Sequence, residues 1–125
     1  MKSYASWIVF FAVLAAIVGG MIWYASKPGQ YDQFATCIKD SGATFYGAFW
    51  CPHCQEQKAL FGKSAAKLPY VECSTPDGQG QTEICKQKNV ESYPTWEFKT
   101  AGRKTGTFAL AELSTFTGCP LVKNK

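Results

Sequence analysis

The residues of this chain best suited to chemistry are Cys51 and Cys54, and their setting, Phe49-Trp50-Cys51-Pro52-His53-Cys54-Gln55, says of what kind. Two cysteines at this spacing, placed where a helix begins, can close a small disulfide without unwinding the helix. The first sits at the helix N-terminus with its sulfur exposed, where free backbone N–H groups and the helix dipole stabilise a thiolate. The second lies one turn in and is shielded. Cys51 is therefore expected to be the attacking nucleophile, and Cys54 the thiol that resolves a mixed disulfide. His53 is the only histidine of the chain. An imidazole beside Cys51 would stabilise the thiolate further, which favours the reduced form and makes the disulfide more oxidising. The competing use of such a pair is half of a zinc site. That needs two more ligands, there is no second C-x-x-C, and His53 is badly placed to join both flanking sulfurs, so neither a metal nor another cofactor is expected.

A second point of interest is Tyr93-Pro94-Thr95. An ordinary proline at the start of a strand costs a ladder hydrogen bond. A cis Tyr93–Pro94 bond would instead turn the chain tightly and bring its backbone beside Cys51, ready for an extended substrate, although cis is the minority state of X–Pro bonds in general. Trp50, Pro52, Tyr93 and Pro94 are the expected substrate-contacting residues.

The elements that must position these residues follow from local pattern. Phe34, Cys37 and Ile38 recur at helical spacing after Tyr31, and Gly42 is a natural stop. Ala43–Phe49 is a short apolar, aromatic run that suits a strand buried on both faces. Pro52 fits the first turn of the helix that follows, and Leu60, Phe61 and Ala65 are expected on its buried face. Leu68–Cys73 reads as a second strand, Pro76-Asp77-Gly78 as a turn and Gln81–Lys88 as a short helix. Thr95–Lys99 and Arg103–Thr107 read as strands joined at Ala101-Gly102. Ala109, Leu113 and Phe116 mark a last helix that ends at Gly118, with Pro120 just beyond. A strand–helix–strand start and a hairpin-plus-helix finish predict an α/β layered sheet.

Ahead of this domain runs Trp7–Ala25, apolar throughout and bounded by Trp7, Trp23 and Tyr24, which favour membrane interfaces. A helix of that length spans the ~30 Å hydrocarbon layer. A cleaved signal peptide usually has a shorter apolar run and a small-x-small site. Here Trp23 or Tyr24 would occupy the position that must be small, and no lipoprotein cysteine follows. The expected organisation is a cytoplasmic tail over residues 1–6, a transmembrane anchor over 7–26, a linker over 27–30, one domain over 31–119 and a tail over 120–125. Lys2 and Lys27 flank the helix on opposite sides, so flanking charge leaves its orientation open. The six cysteines all fall after it, a density that suits an oxidising compartment and puts the domain outside the cytoplasm. A net charge of +4, with basic residues scattered among acidic ones, offers no stripe for nucleic acid.

Four further cysteines remain. Cys73 and Cys85 flank a Pro/Gly turn, and they either close a stabilising disulfide, worth about 2–4 kcal/mol, or form a second redox pair that relays electrons. Pairing Cys37 with Cys119 would tie the two ends of the domain together, one of several connectivities that six cysteines allow.

Phe49-Trp50-Cys51-Pro52-His53-Cys54 followed by Tyr93-Pro94-Thr95 resembles the thioredoxin superfamily. Tyr46–Gln55 together with Pro69-Tyr70-Val71-Glu72-Cys73 and Tyr93–Glu97 looks, more narrowly, like the thioredoxin-like domain fused to or encoded with bacterial vitamin K epoxide reductase homologues. The resemblance covers about residues 31–119. It implies a thioredoxin-like fold, a central mixed sheet of about four strands flanked by helices, here preceded by one transmembrane helix. It implies catalytic roles for Cys51 and Cys54, a cis-proline at Pro94, and a match of Cys73 and Cys85 to a second cysteine pair of that family. It also implies a membrane-bound oxidase of secreted, thiol-containing proteins, re-oxidised by a vitamin K epoxide reductase-like or other quinone-linked membrane partner. That partner would be a separate polypeptide, because the four-helix reductase domain is absent from this sequence. Phe45 stands where cytosolic thioredoxins carry a buried acid, so no carboxylate is evident to take the Cys54 proton. The alternatives are a reductase or isomerase of the same fold, or a redox-inert binding module that uses the Trp50–Pro94 surface.

Overall fold

The computed structural model describes residues 2–124. Met1 and Lys125, the outer ends of the two expected tails, lie outside the described residues. Helix α1 runs over Lys2–Ser26, so the segment expected as a tail before Trp7 is helical from Lys2 onward, as nothing in Ser3-Tyr4-Ala5-Ser6 breaks a helix. None of its membrane-length window is buried against protein, and it is long and apolar enough to cross a membrane. An N-terminal signal sequence meets the same criterion.

The domain that follows is built from α2 (Asp32–Asp40), β1 (Thr44–Gly47), α3 (Pro52–Phe61), β2 (Tyr70–Glu72), α4 (Glu83–Gln87), β3 (Thr95–Phe98), β4 (Gly102–Thr105) and α5 (Leu110–Thr117). The four strands form one mixed sheet in the order β2-β1-β3-β4. β1 and β2 are parallel, which requires a crossover, and α3 supplies it. β3 pairs antiparallel with both β1 and β4. This is a thioredoxin-like fold: a four-stranded mixed sheet flanked by helices, carrying an apolar N-terminal helix.

The register explains the core. Phe45 lies opposite Trp96, and their rings stack at 4.5 Å between centroids. Phe98, two residues along β3 and so on the same face, extends the stack at 5.6 Å. Phe34 of α2 stacks on Phe61 of α3 at 5.7 Å, and Leu113 of α5 closes the cluster. Tyr46 points to the opposite face, as strand alternation demands, where it packs with Cys73, Cys85 and Val90.

Several local expectations need correction. Leu60 is exposed rather than buried. The α-helix ends at Phe61, where Gly62 turns the chain with φ +56, and a 3₁₀ segment over Gly62–Lys67 takes Ala65 only partly into the core. Ala109 is the exposed N-cap of α5, so the buried side of that helix is carried by Leu113, with Leu110 and Phe116 packed beside it. Gly42 has φ +82 just beyond α2, the left-handed stop its sequence suggests. The expected linker over 27–30 is fastened to the domain at its end. Gly29 is buried, a Cβ there would collide with Ser64, the Tyr31 amide donates to Ser64 Oγ at 2.8 Å, and Asn124 returns to donate to the carbonyls of Gly29 and Gln30.

Two disulfides are formed. Cys37–Cys119 ties α2 to the segment after α5, and Cys73–Cys85 ties the end of β2 to α4. Because Phe45 is one end of a buried three-ring stack centred on Trp96, Phe45→Ala should lower stability by about 3–5 kcal/mol, read as a lower urea midpoint of the near-UV signal of the full chain in detergent micelles. A midpoint unchanged from the parent would mean that the stack does not hold this core.

Candidate active site around Cys51 and Cys54

β1 ends at Gly47 and delivers the chain to a short connection in which Ala48 is buried while Phe49 and Trp50 stand half exposed. The Cys51 amide donates to the Ala48 carbonyl at 3.1 Å, which closes this turn and places Cys51 as the N-cap of α3. Pro52 takes the first helical position, where a missing N–H costs nothing. Cys51 then caps the helix with its own sulfur, accepting from the Cys54 N–H at 3.4 Å.

The other partner of the Cys51 sulfur comes from across the fold. Its thiol reaches the Tyr93 carbonyl at 3.7 Å, immediately before a cis Tyr93–Pro94 bond. Pro94 is buried and Tyr93 half buried. The loop before β3 therefore covers the sulfur, and Cys51 is only 5% exposed, less open than expected for a residue at a helix start. Cys54 is buried further, at 1%. Its sulfur lies against Gly47, where a Cβ would sit 3.0 Å from Cys54 Sγ and 2.8 Å from a Tyr70 ring carbon. Burial is the main cause that pushes the Cys54 thiol up to about 12, followed by its hydrogen bond with Cys51. Cys54 thus stays protonated throughout the neutral range.

His53 behaves differently from its sequence-based reading. Its ring is exposed and Nδ1 lies 3.2 Å from Glu56 Oε2, one turn along α3. The hydrogen bonds of the Cys51 sulfur run to Cys54 and Tyr93, not to the imidazole, because the helix carries the side chain at position 53 outward. The His53 carbonyl accepts from Thr107 Oγ1 at 3.1 Å, which ties the start of α3 to the connection between β4 and α5.

The rim of the site is held from the Cys73–Cys85 side. Trp50 Nε1 donates to Ser74 Oγ at 2.9 Å, and the Trp50 ring meets Tyr93 edge-on at 6.0 Å. Gln81 donates to the Tyr93 hydroxyl at 2.8 Å and to the Val90 carbonyl at 2.7 Å. The loop that the Cys73–Cys85 disulfide closes thereby positions both Trp50 and Tyr93. Pro52 is exposed at the same rim. Cys37 and Cys119 are bonded to each other away from this region.

The sequence reading gave no role to Tyr70, Glu72 or Gln57, although the first two lie in the stretch that carries the family resemblance. Tyr70 lies in register beside Phe45, and Glu72 beside Gly47. The Tyr70 hydroxyl donates to Glu72 Oε2, Glu72 Oε1 accepts from the Phe49 amide at 2.9 Å, and Lys58 Nζ stands 3.5 Å over the Tyr70 ring. The signal was the polar alternation of Tyr70 and Glu72 on one face of a strand. Gln57 was also passed over. It is fully buried in α3 and exchanges two hydrogen bonds with the Phe108 backbone, satisfying the polar group that the core encloses.

The two thiols should therefore differ in reactivity. Brief treatment of the reduced full chain with iodoacetamide at neutral pH should label Cys51 and spare Cys54, since a thiol pushed up to about 12 presents almost no thiolate there. Peptide mapping that found Cys54 labelled first would contradict the assigned geometry.

A family model described as thioredoxin matches residues 29–115. The chain is 48% identical over 89 residues to the thiol-disulfide oxidoreductase LTO1 of Arabidopsis thaliana, an alignment that covers 67% of this chain and 23% of that protein. It is 37% identical over 65 residues to the protein disulfide-isomerase A2 of Mus musculus, covering 49% of this chain and 12% of that protein. The chain thus spans less than a quarter of the length of either relative. On the family match, which takes in β1 to β4, the C-x-x-C helix and the loop before Pro94, the chain belongs to the thioredoxin family.

Proposed function

We propose that this chain is a membrane-anchored thiol–disulfide oxidoreductase that introduces disulfides into secreted proteins outside the cytoplasm. The observation that carries the reading is the asymmetric pair. Cys51 caps α3 beneath the Tyr93–Pro94 loop, while Cys54 is sealed behind it with its thiol pushed up to about 12. In the oxidising direction a substrate thiolate attacks Cys51 of the closed Cys51–Cys54 disulfide, and Cys54 leaves and takes a proton. A second substrate thiolate then attacks the substrate sulfur bound to Cys51, so two electrons pass to the pair and a disulfide remains in the substrate. Trp50, Pro52, Tyr93 and Pro94 surround the sulfur on which these exchanges occur and are the proposed substrate contacts.

Supporting the class of activity are the family match and a relative whose name is thiol-disulfide oxidoreductase. Supporting the compartment are two disulfides, which persist in oxidising surroundings. Helix α1 is the proposed anchor, crossing the membrane once. The motif resemblance to domains that accompany vitamin K epoxide reductase homologues supports re-oxidation by such a protein or another quinone-linked membrane oxidase.

A reductase or isomerase is the second reading, and one observation favours it. His53 is engaged by Glu56, which leaves the Cys51 thiolate without the imidazole that a strongly oxidising pair uses. The reduction potential of Cys51–Cys54, measured on the full chain in detergent by glutathione equilibration, separates the two. The oxidase reading expects about −120 to −180 mV, and a value near about −270 mV would replace it with a reductant.

A further inference from the structure

We propose that Tyr70 and Glu72, on the strand beside β1, form the proton relay that serves Cys54. The inference deepens the thiol–disulfide reading above and rests on it.

A thiol as deeply buried as Cys54 cannot attack a mixed disulfide at neutral pH unless its proton has somewhere to go. Solvent is excluded, since Cys54 is 1% exposed, and the backbone N–H of Cys54 is already donated to Cys51. Titratable groups approach it from α3, from β2 and from the loop before β3. From α3 come Cys51 and Lys58, and from β2 come Tyr70 and Glu72. From the end of β1 and the turn after it come Gly47 and the Ala48 backbone, which do not titrate. The loop before β3 brings Tyr93, whose hydroxyl is occupied by Gln81. His53 and Glu56 pair with each other in solvent.

Among these, Tyr70 shares with the sulfur the space beside Gly47. The point where a Gly47 Cβ would lie is 3.0 Å from Cys54 Sγ and 3.3 Å from the Tyr70 hydroxyl oxygen. The bare backbone of Gly47 is thus what lets the two groups share one space. The hydroxyl already donates to Glu72 Oε2, so its oxygen has a lone pair free to accept. Burial, first, and then the hydrogen bond to Glu72 hold the Tyr70 phenol well above its usual range, which suits it to passing a proton on rather than ionising. Lys58, stacked at 3.5 Å over the Tyr70 ring, favours negative charge on Cys54.

In the resolving step the Cys54 proton passes to Tyr70 Oη as the Tyr70 proton passes to Glu72 Oε2. The electron pair of Cys54 Sγ forms the bond to Cys51 Sγ. The bond between Cys51 and the bound thiol breaks, and the departing sulfur takes that electron pair and a proton from solvent. In the opposite direction Glu72 returns the proton through Tyr70 to Cys54 as it leaves. Glu72 does what a carboxylate at position 45 would do, from the neighbouring strand.

The test uses the reduced full chain in detergent and dithiobis(nitrobenzoate), following thionitrobenzoate release by stopped flow. The first phase is attack by Cys51, and the second is resolution by Cys54. Tyr70→Phe removes the relaying oxygen, and Glu72→Gln removes the acceptor while keeping its shape and its bond from the Phe49 amide. In both, the ratio of second-phase to first-phase rate should fall by about 100-fold at pH 7. The deficit should shrink as pH rises toward the Cys54 value, where hydroxide replaces the relay. Second-phase pH profiles in both variants that match the parent would overturn the relay and leave the redox reading intact. Absence of the first phase in the parent would overturn the redox reading itself, and the relay with it. A purely structural role for either residue would lower both phases together and leave the pH profile unmoved, which also overturns the proposal.

Discussion

Gly47 leaves no room for a side chain, because the Cys54 sulfur and the Tyr70 ring fill the space a Cβ would need. Most of the site depends on that one close approach. It lets α3 begin directly over the C-terminal end of β1, with its first turn resting on bare backbone. Cys54 is then sealed into the core, Cys51 falls at the N-cap, and the loop before β3 reaches Cys51 from the other side. Antiparallel pairing of β1 with β3 brings that loop to the same end of the sheet as the start of α3. The parallel pairing of β1 with β2 does the same for Tyr70 and Glu72.

From this geometry the two cysteines acquire opposite characters. Cys51 has partners that any approaching sulfur must displace or use: a helix N–H and the Tyr93 carbonyl. Cys54 has burial, and burial holds its proton. An exchange that begins at Cys51 and finishes at Cys54 is the order that this difference favours. The disulfide Cys73–Cys85 has a part in it too, since the loop it closes supplies Ser74 to Trp50 and Gln81 to Tyr93. A covalent staple on the far side of β2 thereby fixes the lip of the site.

Much of this was legible in the residues themselves. The C-x-x-C with proline at the first helical position located the start of α3, and the aromatic run before it located β1, because both signals are local. The helix stop at Gly42 and the hairpin at Ala101-Gly102 were readable for the same reason. What escaped was set by long-range placement. Leu60 reads as core by spacing alone, yet the buried face of α3 runs through Cys54, Gln57 and Phe61 and leaves Leu60 in solvent. The outward direction of His53 depends on where α3 sits on the sheet, and its bond to Glu56 could be suspected only once the helix start was known. Tyr70 and Glu72 stand in a stretch that carries the resemblance but assigns them no role, and their placement beside β1 follows from a strand register that no local pattern encodes. The missing acid at Phe45 was visible, but the carboxylate on the next strand was not.

The central claim is that Cys51 is the cysteine that bonds to the substrate sulfur, and Cys54 the one that closes onto Cys51 to resolve a mixed disulfide. The most direct measurement is the mass of the full-length Cys54→Ser variant, reduced and then treated with oxidised glutathione, followed by peptide mapping under non-reducing conditions. The account predicts a single, persistent glutathione adduct on Cys51, with the parent protein instead going on to the closed Cys51–Cys54 disulfide. An unmodified variant, or an adduct on any other cysteine, would contradict it.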